Sequence, residues 1–265
     1  MSELSKRIIT AMVLAAGASY WMFYTDGMLF ALLTFGICML AWIELFNMLD
    51  LSVSALYIMT LAIPSLVWIW QPDVMPLSFL VLIPLVLWMM IYVLTHRTNS
   101  SNESFSHFTY AQWMALLITC FGFSLIQAHQ VKGGALFLSG AFLGVWAADI
   151  GAYFVGKAMG KNKLCPSISP GKSVEGFTGG FLLGTAVATV FWMQMLHISI
   201  LMAWVLAVVL VLVSVIGDLG ESALKRAVGV KDSGNILPGH GGLLDRIDAL
   251  LPSIPVIVTL WLAIS

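Results

Sequence analysis

The sequence predicts an all-α, polytopic integral membrane protein of about nine transmembrane helices, with the N-terminus cytosolic and the C-terminus outside. Three observations lead there. Of 265 residues, 60% are hydrophobic and only 9% charged, with a mean hydropathy of +0.97. A soluble core cannot bury that much apolar surface, so the bilayer must act as solvent. Mostly apolar runs of about 20 residues, the length that crosses ~30 Å of hydrocarbon, recur with short polar connections. Finally, eleven of the twelve Lys and Arg residues fall on one side of the resulting topology.

The runs lie near 8–24, 28–49, 54–71, 76–95, 110–128, 134–156, 176–196, 199–219 and 249–264. Lys6 and Arg7 precede the first, and Ala16-Gly17-Ala18 has the look of a signal-peptidase site. The apolar run continues through Trp21 and Phe23, which makes an uncleaved span the simpler reading. The second run carries Glu44 near its cytosolic end, with Asn47 one turn on, and helix pairing is the expected role. Pro64, Pro84, Pro252 and Pro255 fall inside spans and predict kinks. With a cytosolic N-terminus, Lys6, Arg7, Arg97, Lys157, Lys161, Lys163, Lys172, Lys225, Arg226, Lys231 and Arg246 are inside and Lys132 alone is outside.

Two regions follow: N-terminal transmembrane helices over 1–130, and a C-terminal catalytic region over 131–265 with cytosolic loops at 157–175 and 220–248. The stretch 96–109 reads as a flexible connection. Cys38, Cys120 and Cys165 lie far apart without zinc-ligand spacing, and read as packing residues. Gly140, Gly144, Ala148 and Gly151 permit close helix packing, within or between chains. The net charge of −1 is uninformative, and no nucleic-acid partner is expected.

Chemistry concentrates in two segments. In the first, 146–176, Asp149 sits ~10 Å inside the expected cytosolic end of its span, at 1.5 Å per helical residue. A carboxylate there must face a cavity, a cation or a basic partner. Tyr153 and Gly156 share its helical face at i+4 and i+7. The loop beyond holds Lys157, Lys161, Lys163, Lys172 and Ser173 with no acid before Glu175, a composition suited to polyphosphate or anionic headgroups. Gly171-Lys172-Ser173 is not a Walker A motif, because Pro166 occupies the position of its first glycine.

In the second segment, 214–248, a helix would place Ser214, Asp218, Ser222 and Lys225 on one stripe, and Glu221 could pair with Lys225 at i,i+4. Gly229, Gly234, Gly239, Gly241 and Gly242 then predict a tightly folded loop. It ends in Asp245, Arg246 and Asp248. Asp218 and Asp245, with Asp149 or Asp248, are oxygen ligands suited to Mg²⁺. With cations alongside, these are the parts required for phosphoryl or nucleotidyl transfer at a membrane face.

The run SALKRAVGVKDSGNILPGHGGLLDRID resembles the signature of the CDP-diacylglycerol synthases, or phosphatidate cytidylyltransferases, at Ser222, Lys225, Arg226, Lys231, Asp232, Pro238, His240, Gly241, Gly242, Asp245, Arg246 and Asp248. The upstream DIGAYFVGKAMGKNKLCPSISPGKSVEG is similar to a second shared block. The resemblance implies Mg²⁺-dependent formation of CDP-diacylglycerol and pyrophosphate from CTP and phosphatidic acid, at the cytosolic face of the inner membrane. It also implies a homodimer, and leaves open a second metal or a monovalent cation. Lys225, Arg226, Lys231 and Arg246 are expected to hold phosphates, with Ser222 in the substrate site and His240 shaping the loop or touching phosphate rather than acting as general acid.

Two other readings compete. A CTP-dependent lipid kinase needs similar metals and cations, and a transporter would also carry acidic residues inside glycine-interrupted spans. A transporter has no need of the gapped KD and PxHGG arrangement.

Overall fold

The computed structural model describes residues 16–51, 54–70, 77–95, 102–237 and 241–264. Residues 16–23 are helical. After them come α1 (Gly27–Met48), α2 (Ser54–Trp70), α3 (Leu77–Thr95), α4 (Asn102–Gln130) and α5 (Gly134–Met159). A hairpin of β1 (Lys163–Cys165) and β2 (Ser169–Ser173) follows, then α6 (Val174–Leu196), α7 (Ile200–Ala227), the single turn α8 (Leu244–Ile247) and α9 (Leu250–Ile264). Among the described residues six helices are long and apolar enough to cross a membrane: Gly27–Met48, Phe105–Gln130, Gly134–Met159, Val174–Leu196, Ile200–Ala227 and Leu244–Ile264.

The boundaries follow local chemistry. Asp26 caps α1 by accepting from Leu29 N at 2.7 Å, and Ser199 caps α7 by accepting from Met202 N at 3.3 Å. Ser173 caps α6 by accepting from Gly176 N at 3.1 Å. The helices run on through Pro64, Pro84 and Pro255, while Pro252 sits in the first turn of α9, where its missing N–H costs no helical bond.

Two expectations need correcting. The all-α reading misses the antiparallel β1–β2 hairpin, in which Lys163 pairs with Ser173 and Cys165 with Ser169. The flexible connection expected over 96–109 is helical from Asn102, because polar residues extend α4 beyond its apolar stretch. Residues 1–15, where Lys6 and Arg7 lie, are outside the described residues, as is Arg97.

The chain forms two compact units. One comprises the described residues up to Gly122 with Asp232–Asp245, and the other Phe123–Lys231 with the segment from Arg246 onward. The first is held by an aromatic cluster in which Trp88 meets Phe46 and Tyr57 edge-on, with ring centroids 5.6 and 5.7 Å apart. Trp42 Nε1 donates to Ala115 O at 3.4 Å, tying α1 to α4. In the second unit Phe137 stacks between Trp192 and Trp261 at 4.9 and 4.2 Å, and Trp192 Nε1 donates to Phe137 O at 2.9 Å.

The main seam of the second unit joins α5 to α6 through small residues. A Cβ on Gly184 would lie 2.7 Å from both Ala148 Cβ and Gly144 O, and one on Gly151 would lie 2.8 Å from Gly179 O. Gly140, Gly144, Ala148 and Gly151 are thus buried within the chain, against α6, which settles their packing as intrachain.

Candidate active site

The α5–α6 seam shapes a cavity in the second unit. Because Gly176 and Gly180 carry no side chain, α6 approaches Ala152 O and Ala148 O so closely that an added Cβ would lie only 2.9 and 2.5 Å away. The cavity, about 390 Å³, opens beside this contact, between the last turns of α5, the hairpin, the start of α6 and the middle of α7. Asp149, Tyr153, Gly156 and Lys157 of α5 line it, one helical face presenting a carboxylate, a phenol and an ammonium. Lys172 and Ser173 enter from β2, and Ser214 and Asp218 from α7. Leu164, Phe177, Phe181 and Val215 form its apolar wall.

Lys172 Nζ forms an ion pair with Asp218 Oδ2, and Ser222 Oγ donates to Asp218 Oδ1 at 3.5 Å. Asp149 lies within electrostatic reach of Asp218, Asp248, Lys172 and Arg246, so three carboxylates and two cations share one neighbourhood. Lys157 Nζ stands 5.7 Å above the ring of Tyr153. Glu175 fixes the hairpin: its carboxylate accepts from Lys161 N at 3.1 Å, Asn162 N at 3.2 Å and Asn162 Nδ2 at 2.8 Å. That clamp joins the entry of the loop to its exit and so holds Lys172 over α7.

Not every expected residue reaches the cavity. Lys161 and Lys163 are exposed on the hairpin and do not line it. Lys225 turns inward instead, with Nζ 3.2 Å from Glu221 Oε2 and the side chains 10% and 1% exposed, and Glu221 also shares a hydrogen bond with Asp248. The pairing at i,i+4 that the sequence allowed is therefore the arrangement adopted. Arg226 is exposed, donating from Nη1 to Val230 O at 3.1 Å, and Lys231 and Arg246 are exposed as well.

In the first unit, Asp245 organises its own loop by accepting from Ser233 N at 3.0 Å and Gly242 N at 2.9 Å. Gly241, at φ +80°, provides the left-handed turn, and Leu237 N donates to Gly241 O at 2.9 Å across it. His240 lies outside the described residues.

Comparison with known proteins then places the chain. The model of the cytidylyltransferase family matches residues 5–264. The chain belongs to that family. Within it, the chain is 34% identical over 263 residues to a phosphatidate cytidylyltransferase of Bacillus subtilis, covering 96% of both chains. It is 36% identical to one of Pseudomonas aeruginosa, covering 98% of both, and 46% identical over 136 residues, 48% of this chain, to one of Haemophilus influenzae. Motif reasoning assigned the family and foresaw the Glu221–Lys225 pair, but missed Glu175 as the clamp of the hairpin and Glu221 as a partner of Asp248, and expected helix pairing of Glu44. The one signal for Glu44 was a lone carboxylate in an apolar run.

Proposed function

We propose that this chain is a phosphatidate cytidylyltransferase, converting CTP and phosphatidate to CDP-diacylglycerol and pyrophosphate with Mg²⁺ at the cytosolic face of the inner membrane. The observation that carries the reading is one cavity lined by Asp149 and Lys157 of α5, Asp218 of α7 and Lys172 of the hairpin, beside membrane-length helices. The family match and the names of the relatives support it. On nine spans, with eleven basic residues inside, the hairpin and the loop after α7 face the cytosol, where CTP is found.

A phosphatidate oxygen attacks the α-phosphorus of CTP; a P–O bond forms as the α,β-anhydride bond breaks, and pyrophosphate carries off the electron pair. The attacking phosphate monoester has a second pKa near ~6, so it is already dianionic at neutral pH and needs no general base. The problem left to the protein is bringing two polyanions into line. Lys157 and Lys172 face the cavity and can bind phosphate oxygens, and Ser173 and Tyr153 offer hydroxyls. The apolar wall of Phe177, Phe181 and Val215 suits the lipid end of phosphatidate, whose acyl chains stay in the bilayer.

Asp149 and Asp218 suit Mg²⁺, which takes one or two carboxylates with substrate phosphates and water rather than an all-protein cage. When bound, Mg²⁺ would neutralise phosphate charge and stabilise the leaving pyrophosphate. Asp245 and Asp248 belong to the reaction machinery in this reading through the motif that spans 222–248, as further candidates for metal; Asp245 accepts from Ser233 N and Gly242 N, and Asp248 shares a hydrogen bond with Glu221.

The test uses purified protein in detergent with phosphatidate and α-labelled CTP. Label should enter lipid with stoichiometric pyrophosphate release, stop with EDTA and return with excess Mg²⁺. Label recovered only as CDP would show γ-phosphoryl transfer and overturn the reading, as would turnover that survives chelation.

A further inference from the structure

Glu44 lies in the apolar helix α1, yet it is only 3% exposed. Its carboxylate reaches a chain segment about 200 residues away: Oε1 accepts from Leu243 N at 2.9 Å, and Oε2 accepts from Leu244 N at 2.8 Å and Ser233 Oγ at 3.4 Å. Two successive backbone N–H groups at the start of α8 are thereby satisfied by a side chain from another helix, as a capping residue would satisfy them from within.

The glycines on either side are shaped to this carboxylate. An added Cβ at Gly234 would lie 2.7 Å from Glu44 Oε1, and one at Gly242 would lie 2.8 Å from Oε2. Ser233 binds both acids, giving its hydroxyl to Glu44 and its N–H to Asp245. Leu243 and Leu244 immediately precede Asp245, so holding their amides sets where the Asp245 side chain starts from.

We infer that Glu44 is a positioning residue for the transferase reaction, fixing the backbone that leads into Asp245 and the Ser233 that donates to it, without touching substrate. The inference rests on the function proposed above, in which the segment 232–245 belongs to the reaction machinery. Three hydrogen bonds compensate the burial of the carboxylate, and removing it leaves the buried Leu244 N–H and the half-buried Leu243 N–H without their acceptor.

The experiment compares wild type, Glu44→Ala, Glu44→Gln and Glu44→Asp as full-length protein in detergent. Glu44→Ala should lower kcat by roughly 10–100-fold, the usual effect of removing a group that orients an active-site residue, with a smaller change in KM for CTP. Glu44→Gln, which keeps one carbonyl acceptor at the same reach, should recover part of kcat, and Glu44→Asp should recover less. Hydrogen exchange supplies an arm independent of activity: Leu243 and Leu244 amides should exchange faster in Glu44→Ala while α5 and α6 stay protected. Unchanged amide protection overturns the inference, as does a kcat loss that Gln fails to relieve and that follows a lowered Tm. If wild type releases no pyrophosphate with phosphatidate, the proposed function fails, and the exchange arm still decides whether Glu44 holds this segment.

Discussion

Lys225 shows how residue type and residue role part company. As a lysine in a KR pair beside a carboxylate-rich loop it reads as a phosphate ligand, but its ammonium is buried 3.2 Å from Glu221. Burying both charges is tolerable because each neutralises the other, and breaking such a pair on one side typically costs about 3–5 kcal/mol. Lys225→Met should therefore lower the detergent Tm markedly, and Glu221→Gln in the same chain should return most of it. A Tm equal to wild type with a raised KM for CTP would restore the phosphate-binding role. Asp218 fared differently: its stripe with Ser222 was legible from helical spacing, while its partner Lys172 arrives from a strand 46 positions earlier and could not be read from any local pattern.

At the level of elements, helices were legible because apolar run length is set by the bilayer, and α1, α2, α3, α5, α6 and α7 begin within two residues of the expected runs. The hairpin was not legible, because its strands are three and five residues long, and glycine, proline and lysine disguise them as loop. The α5–α6 seam makes the clearest prediction here. Gly184→Leu must drive its side chain into Ala148 and Gly144 O and should shorten the half-life of the folded protein in detergent severalfold or more. Gly36→Leu, on a surface of α1 with nothing within 4 Å of the added Cβ, should behave as wild type. Equal stability of the two variants would remove the seam as the core of the second unit.

For the whole molecule, the proposed orientation rests on the eleven basic residues expected on one side, and Cys165 in the hairpin offers a direct check. With Cys38 and Cys120 changed to alanine, a membrane-impermeant maleimide should label Cys165 in inside-out vesicles and not in right-side-out ones. The reverse pattern would invert the proposed topology. The sequence alone was enough to place this chain among helical membrane proteins of the cytidylyltransferase type and to single out two segments, 146–176 and 214–248, as rich in carboxylates and cations. Hydrophobic run length, glycine spacing and charge are local properties that a bilayer and a helical repeat read directly. Only the tertiary structure decided which charge meets which. Glu44 finds its donors 199 and 200 residues away, Lys172 goes to Asp218, and Lys225 goes to Glu221. Inside an apolar surrounding each buried charge must be satisfied by whatever packing brings near, and that neighbour is a property of the fold.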